Sequence, residues 1–414
     1  MKFADLKVAS EIKQNLDKLG FIRPTDIQFK AIPPIMRGED VLAVAQTGTG
    51  KTAAFAIPVI HMINEAKPSR RYQGIRCLVM VPTHELALQI NKVFNSIAAH
   101  THVKATSIYG GVDQDPQISM LRKGTDILIA TPGRMFDLAS QGHLDLSNID
   151  ILILDEADHM LDLGFIKDIR DLSRKLPRER QTLFFSATIN PDIKKLAYDL
   201  VKDAIRIQVS PKNPVNKNIN HSVAMIDMDD KRFFLERMVK ENPDQKILVF
   251  VRTKVRAERV KSAMERVEIK SDTIHSDKDQ SDRNRVMEEF GAGRLMMLIA
   301  TDISARGIDI PDVDFVVNYD LPDKPENYVH RIGRTGRGNK RGEAVSFCSK
   351  EEKPLLKEIE SYTGAPIEVI SIPAAEYDTT ISFSAEAKDD WKTLINEHEK
   401  TMAKINRKKK KKKL

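Results

Sequence analysis

The stretch Ile151-Leu152-Ile153-Leu154-Asp155-Glu156-Ala157-Asp158 decides the fold. Four apolar residues without alternation read as a strand covered on both faces, and the acids that follow place polar chemistry at its carboxyl end. Upstream, Val41–Val44 leads into Ala45-Gln46-Thr47-Gly48-Thr49-Gly50-Lys51-Thr52, which has the phosphate-loop pattern. In that pattern glycine-rich backbone cradles phosphates, lysine reaches the terminal ones and threonine holds magnesium. Asp155 would supply a carboxylate for the same Mg2+, and Glu156 a second one to position or deprotonate a water. An Asp-Glu pair after a strand can also be no more than the acid-rich start of a helix. Coupled to the phosphate loop, it points to nucleoside triphosphate hydrolysis.

Further apolar runs lie on both sides. Ile75–Val81, Ile127–Ala130 and Thr182–Ser186 occur in the first half; Ile247–Val251, Leu295–Ala300, Phe315–Val317 and Ala344–Phe347 occur in the second. They alternate with longer helix-like stretches, which predicts two parallel, doubly wound α/β sheets with ligands beyond the carboxyl ends of the strands. Ser210–Asn218, with two prolines and three asparagines, reads as a linker. The expected division is a first domain over 1–209, a linker over 210–218, a second domain over 219–373 and an extension over 374–414. In the extension Trp391, Leu394, Ile395, Met402 and Ile405 share one helical face, suited to packing against the second domain or to binding a partner.

The 414 residues, 41% hydrophobic and 30% charged, describe a globular chain large enough for two or three cores. No apolar stretch has the length of a transmembrane helix, and Met1–Asp5 shows no signal pattern. Cys77 and Cys348 sit in strand-like runs and read as buried thiols. These features predict an intracellular, cytoplasmic protein. The net charge of +7 comes wholly from Arg407–Lys413, so a basic tail follows a formally neutral body. The tail reads either as a solubilising end or as an electrostatic tether for nucleic acid.

Other motifs complete a pattern. Gly20-Phe21-Ile22-Arg23-Pro24-Thr25-Asp26-Ile27-Gln28 precedes the phosphate loop, and Pro82-Thr83-His84-Glu85-Leu86-Ala87, Gly110-Gly111 and Thr131-Pro132-Gly133-Arg134 follow it. Ser186-Ala187-Thr188, Ala300-Thr301-Asp302, Arg306-Gly307-Ile308-Asp309 and His330-Arg331-Ile332-Gly333-Arg334-Thr335-Gly336-Arg337 come after the acidic tetrapeptide. With these motifs in this order, from Phe3 to about residue 370, the chain resembles a DEAD-box RNA helicase. That family comprises superfamily 2 ATPases with two RecA-like domains. The compact N-terminus and short basic C-terminus resemble its small bacterial members.

The resemblance implies ATP and Mg2+ as cofactors. It assigns Phe21, Arg23 and Gln28 to adenine recognition, with Phe21 stacking and the Gln28 amide reading the base edge. Read alone, Phe21 would be a core aromatic and Gln28 a helix-surface residue. Ala45, Gln46, Thr47, Gly48, Thr49, Gly50, Lys51 and Thr52 would hold the phosphates, Thr52 and Asp155 the metal through water, and Asp309 the ribose. Lys51, Asp155, Glu156, His330, Arg334 and Arg337 form the implied catalytic set, the arginines reaching the triphosphate from the second domain. Ser186 and Thr188 resemble the segment that couples nucleotide state to strand separation; local hydroxyl satisfaction at a strand end is the bland alternative.

RNA would be held through its backbone by Thr83, Gly110, Gly111, Thr131 and Arg134 in the first domain. Arg252, Gln280, Arg283 and Thr301 would do the same in the second. The resemblance further implies a monomer, single-stranded RNA and short duplexes as substrates, and ribosome-assembly or RNA-turnover factors as partners. Two positions depart from the family: His84 stands where arginine is usual, and Ser276, in His275-Ser276-Asp277, where glycine is usual. A DNA helicase of the same superfamily and a non-catalytic RNA clamp are the competing functions.

The two readings of the tail separate by experiment. If all seven charges of Arg407–Lys413 engage single-stranded RNA, deleting residues 407–414 lowers the log–log salt slope of RNA binding by up to about 5. The ATPase rate at saturating RNA stays unchanged. An unaltered slope leaves the tail a solubility element.

Overall fold

The computed structural model describes residues 2–46, 48–66, 74–209, 215–302, 313–336 and 341–382. Thr47, Asp309, Arg337, the start of the linker at 210–214, the apolar stripe of 391–405 and the basic tail lie outside them.

The first sheet comprises β1 (Val41–Ala45), β2 (Cys77–Met80), β3 (Ala105–Ile108), β4 (Ile127–Ala130), β5 (Ile151–Leu154), β6 (Gln181–Ser186) and β7 (Ile205–Val209). Their order is β3-β4-β2-β5-β6-β1-β7, and every pairing is parallel. The second sheet comprises β8 (Ile219–Met225), β9 (Ile247–Val251), β10 (Ser271–Ile274), β11 (Met297–Thr301), β12 (Phe315–Asn318), β13 (Gly342–Cys348) and β14 (Glu368–Ile370). Its order, β10-β11-β9-β12-β13-β8-β14, repeats the first with each strand advanced by seven. The chain lacks a sequence repeat, yet the two sheets share one topology. The two sheets belong to separate compact units, the first built mainly from Met1–Asn216 and the second mainly from the chain after Lys217.

The unbroken apolar runs have a direct cause. In the first sheet Val41, Ala43, Val79, Ile129, Ile153 and Phe185 enter one core, while Leu42, Leu78, Leu128, Leu152 and Phe184 enter another. Side chains alternate faces along a strand, and helices cover both faces, so every position is buried. The helices Asp26–Met36, Lys51–Ala66 and His84–Ile97 close the first core, and Pro132–Ser140, Ile166–Lys175 and Pro191–Leu200 the second.

β3, β7, β8, β10 and β14 were not legible as apolar runs. Four of them are sheet edges, where one flank lacks a neighbour and polar residues are tolerated. β10 reads Ser-Asp-Thr-Ile yet is buried, because Asp272 accepts from Lys261 Nζ (3.1 Å) and Thr273 Oγ1 donates to Glu258 Oε1 (2.6 Å). Cys77 and Cys348 are buried in β2 and β13. Among the described residues no helix is long and apolar enough to cross a membrane.

The second unit extends past residue 373. The helix Ala374–Ser382 lies on Lys231–Glu241: Tyr377 packs on Phe234 with ring centroids 4.9 Å apart, and Arg237 pairs with Glu376 at 2.8 Å. Tyr377 Oη accepts from the Asp227 N–H (3.0 Å) and donates to Asp230 Oδ2 (2.8 Å). Tyr377→Phe keeps the ring and loses both bonds. It is expected to lower stability by about 1–2 kcal/mol, read as a shift of the second unit's unfolding transition in denaturant.

Candidate nucleotide and nucleic-acid site

Because all strands of the first sheet run the same way, their carboxyl ends form one edge. On one half of it, β1 runs into the phosphate loop and the helix Lys51–Ala66, β5 into Asp155–Asp158, and β6, lying between them, into Ser186–Thr188. Residues more than a hundred apart in sequence therefore meet.

Gly48 (φ +81°) and Gly50 (φ +91°) take left-handed backbone that curls the loop, and Thr49 Oγ1 donates to the Gln46 carbonyl at 2.7 Å. Gln28 is buried, not on the helix surface. Its Oε1 accepts from Thr25 N (2.9 Å), closing a capping box at the start of the helix Asp26–Met36, and its Nε2 donates to the Gly50 carbonyl (3.1 Å). The glutamine expected to read adenine thus also props the phosphate loop. Phe21 is half-buried and meets Phe3 edge-on, centroids 5.5 Å apart; Arg23 is exposed.

Lys51 is 6% exposed, and its Nζ makes no hydrogen bond among the described residues. An ammonium so placed fits a phosphate, which the helix N-terminus also favours. Asp155, also buried, accepts from the Glu156 N–H at 3.0 Å. Burial pushes its carboxyl up to about 6, opposed by Lys51 and reinforced by Glu156. A buried carboxylate, together with the hydroxyl of Thr52 in the first turn of the helix Lys51–Ala66, is a donor set that suits a hard, oxygen-seeking cation that keeps part of its water.

Glu156 adopts φ 52°, ψ 48°, a left-handed conformation rare for a side chain of this size, and marks stored strain at the strand-to-helix turn. Its Oε2 lies 3.4 Å from Nδ1 of buried His159. Asp158 Oδ2 accepts from both the N–H and the hydroxyl of Thr188, each at 3.1 Å. That pair ties the end of β5 to the end of β6. Ser186 is wholly buried, and its hydroxyl has no hydrogen-bond partner among the described residues.

The other half of the edge belongs to β2, β3 and β4. Thr83 caps His84–Ile97, accepting from Leu86 N at 3.3 Å; Gly110 and Gly111 are exposed after β3; Thr131 stands at the N-cap position of Pro132–Ser140 without a side-chain capping bond. Arg134 Nη2 donates to the Val112 carbonyl at 2.7 Å. Thr83, Gly110, Gly111, Thr131 and Arg134 are thus brought together. His84 stacks on Tyr109 with centroids 3.7 Å apart, and burial holds its imidazole below the usual histidine range. A neutral stacked ring stands where a fixed cation would be.

The second sheet repeats this placement. Arg252 follows β9, Thr301 ends β11, and Gln280 and Arg283 begin the helix Gln280–Gly291 after β10. These strands are the topological counterparts of β2, β4 and β3. Ser276 takes backbone open to any residue, and its Oγ donates to Asp277 Oδ1 at 3.3 Å, so glycine is not required there. His330 lies in the helix Pro325–Ile332 after β12, and Arg334 Nε donates to the His330 carbonyl at 3.3 Å.

Sequence reasoning missed Arg331. It is 2% exposed, donates from Nε and Nη2 to the two oxygens of Asp302 (2.5 and 2.9 Å), and from Nη1 to the Asp320 carbonyl (2.7 Å). The neighbouring buried Tyr328 and Ile332 mark its helix face as internal, which is the one signal the sequence carried.

Known proteins agree with this architecture. The family model described as DEAD/DEAH box helicase matches residues 25–196, and that described as Helicase conserved C-terminal domain matches 230–339. The ATP-dependent RNA helicase RhlB of Shewanella frigidimarina is 42% identical over 381 residues, 91% of this chain and 87% of that protein. This chain is a DEAD-box RNA helicase family member. Among solved structures, Saccharomyces cerevisiae Dbp5 bound to RNA and ADP BeF3 matches with TM-score 0.79 and 29% identity, covering 91% of this chain and 97% of that one. The DEAD-box helicase Mss116 bound to ssRNA and UDP-BeF matches with TM-score 0.82 and 28% identity, covering 93% and 83%.

In this DEAD-box protein a methyl at Gly50 would meet the side chains of Gln28 and Thr25, whereas Gly48 faces open space. Both are left-handed, so alanine strains either backbone by about 1–2 kcal/mol. Gly50→Ala is expected to weaken ATP binding at least about tenfold, and more than Gly48→Ala, in nucleotide titrations. Equal losses would show that the Gln28 contact is unimportant.

Proposed function

We propose that the chain is an ATP-dependent RNA helicase that locally melts short RNA duplexes, or remodels RNA–protein complexes, as ATP and RNA draw its two domains closed. One observation carries this reading: a single sheet edge holds the phosphate loop with Asp155–Glu156 on one half and the Thr83, Gly110-Gly111, Thr131–Arg134 track on the other, with the Asp158–Thr188 bonds between the ends of β5 and β6.

In this mechanism Lys51 and the loop N–H groups bind the β- and γ-phosphates, and Phe21, Arg23, Gln28 and Asp309 hold the nucleoside. Thr52 and Asp155 would hold Mg2+, which supplies charge neutralisation at the phosphates. Glu156 orients the attacking water and takes its proton. Arg334 and Arg337 stabilise charge on the transferred group, a role typically worth a factor of about 10³–10⁵ in rate. His330 belongs to the same motif. Residues from both domains are then needed, so closure gates hydrolysis and product release reopens the cleft.

RNA is engaged through its backbone, without base specificity, by Thr83, Gly110, Gly111, Thr131, Arg134, Arg252, Gln280, Arg283 and Thr301. The side-chain links of Thr188 convey nucleotide state to that track. The reading extends to a monomeric, cytoplasmic enzyme serving RNA turnover or ribosome assembly.

The test uses a short RNA duplex and its DNA counterpart. ATP hydrolysis should rise with RNA but not with matched DNA, and only the RNA duplex should melt. Glu156→Gln should keep ATP and RNA binding while cutting turnover by a factor of about 10²–10⁴. Near-normal steady-state hydrolysis by that variant would remove Glu156 from the chemistry.

A further inference from the structure

The carboxyl edge of the second sheet carries a buried charge cluster that the hydrolysis does not use. Lys231, 0% exposed, opens the helix Lys231–Glu241 and donates from Nζ to Glu352 Oε2 (2.5 Å) and to the Tyr319 carbonyl (2.8 Å). Glu352 is 2% exposed. It accepts also from the N–H of Ser349 (3.1 Å), the N–H of Leu321 (3.1 Å) and Arg252 Nη2 (3.2 Å). One carboxylate therefore joins the segments that follow β8, β9, β12 and β13.

Arg252 is held on several sides. Its N–H donates to Asp320 Oδ2 (3.1 Å), its Nη2 also to the Leu321 carbonyl (3.2 Å), and its Nε pairs with Asp323 at 3.1 Å. Asp320 is in turn paired with Arg256 at 2.9 Å. The side chain of Arg252 nonetheless stays 36% exposed. The Nε–Nη2 edge of the guanidinium is committed to protein, which leaves Nη1 for a ligand. A planar fork fixed along one edge is pre-organised, so little side-chain freedom is lost on binding a phosphate oxygen.

A buried ion pair adds little net stability over apolar side chains of like volume, because desolvation offsets its attraction. Its effect here is geometric. We propose that Glu352, neutralised by Lys231, is a positioning residue for RNA: it fixes Arg252 at the sheet edge so that the guanidinium meets a backbone phosphate. This rests on the reading of Arg252 as an RNA contact.

The experiment measures RNA-stimulated ATPase of the full chain against single-stranded RNA concentration and salt. It compares Arg252→Ala, Glu352→Gln and both together. Glu352→Gln should raise the RNA concentration for half-maximal rate about tenfold, with the KM for ATP and the rate at saturating RNA unchanged. Arg252→Ala should raise it as much and flatten the log–log salt slope by about 0.7. The combined variant should be no worse than Arg252→Ala alone, since both act through one side chain. If Glu352→Gln does not fold, Lys231→Met/Glu352→Gln, which leaves no unpaired buried charge, gives the same readout.

Tighter RNA binding by the Glu352 variants would mean that the carboxylate competes with phosphate for Arg252, and the proposal fails. It fails equally if the losses add, or if only thermal stability falls. If Arg252→Ala leaves RNA dependence unchanged, the assignment of Arg252 to RNA fails instead.

Discussion

Parallel pairing of every strand is the constraint on which the rest depends. In a parallel sheet each crossover returns the chain to the opposite edge, so all carboxyl ends, with their loops and helix N-termini, collect along one line. In the first sheet the order β3-β4-β2-β5-β6-β1-β7 divides that line. The phosphate-loop motif follows β1, acids follow β5, hydroxyls follow β6, and the backbone-binding candidates follow the adjacent β2, β3 and β4. The acids at β5 stand at the join. A single structural rule thus sets the candidate nucleotide and RNA residues side by side, and the second sheet uses the same order.

At the join the chain departs from relaxed geometry. Glu156 is left-handed where no glycine relieves it, and Asp155 and Lys51 are opposite charges both removed from water. Such an arrangement is tolerated only because the surrounding core over-determines it: Leu154 and Ala157, flanking the two acids, are wholly buried in the same core. The strain sits where an acid must be presented, while the surrounding strand and helix obey ordinary packing.

The second unit manages buried charge differently. Arg331 is paired with Asp302, the Asn318 side chain and a carbonyl, and Lys231 with Glu352 and a carbonyl, so each ion has a defined partner set. Lys51, by contrast, has no hydrogen bond among the described residues. The contrast separates ions that hold the scaffold from one that no described protein group satisfies, which makes Lys51 the candidate for ligand contact.

Much of this was legible in the chain alone. Continuous apolar runs such as Ile151–Leu154 announced strands buried on both faces, because only a sheet covered by helices on both sides hides every residue. Motif spelling placed Lys51, Asp155, Glu156 and Thr188 near strand ends, since those residue types have few other uses together. The edge strands were hidden, because β7 and β10 carry polar residues that pairing with one neighbour permits. Gln28 as a prop beneath Gly50, the stacking of His84 on Tyr109, and the internal roles of Arg331, Lys231 and Glu352 were decided by tertiary structure alone. Each depends on at least one partner between 22 and 121 residues away, and a charge in sequence gives no sign of whether its partner is water, a ligand or a buried acid.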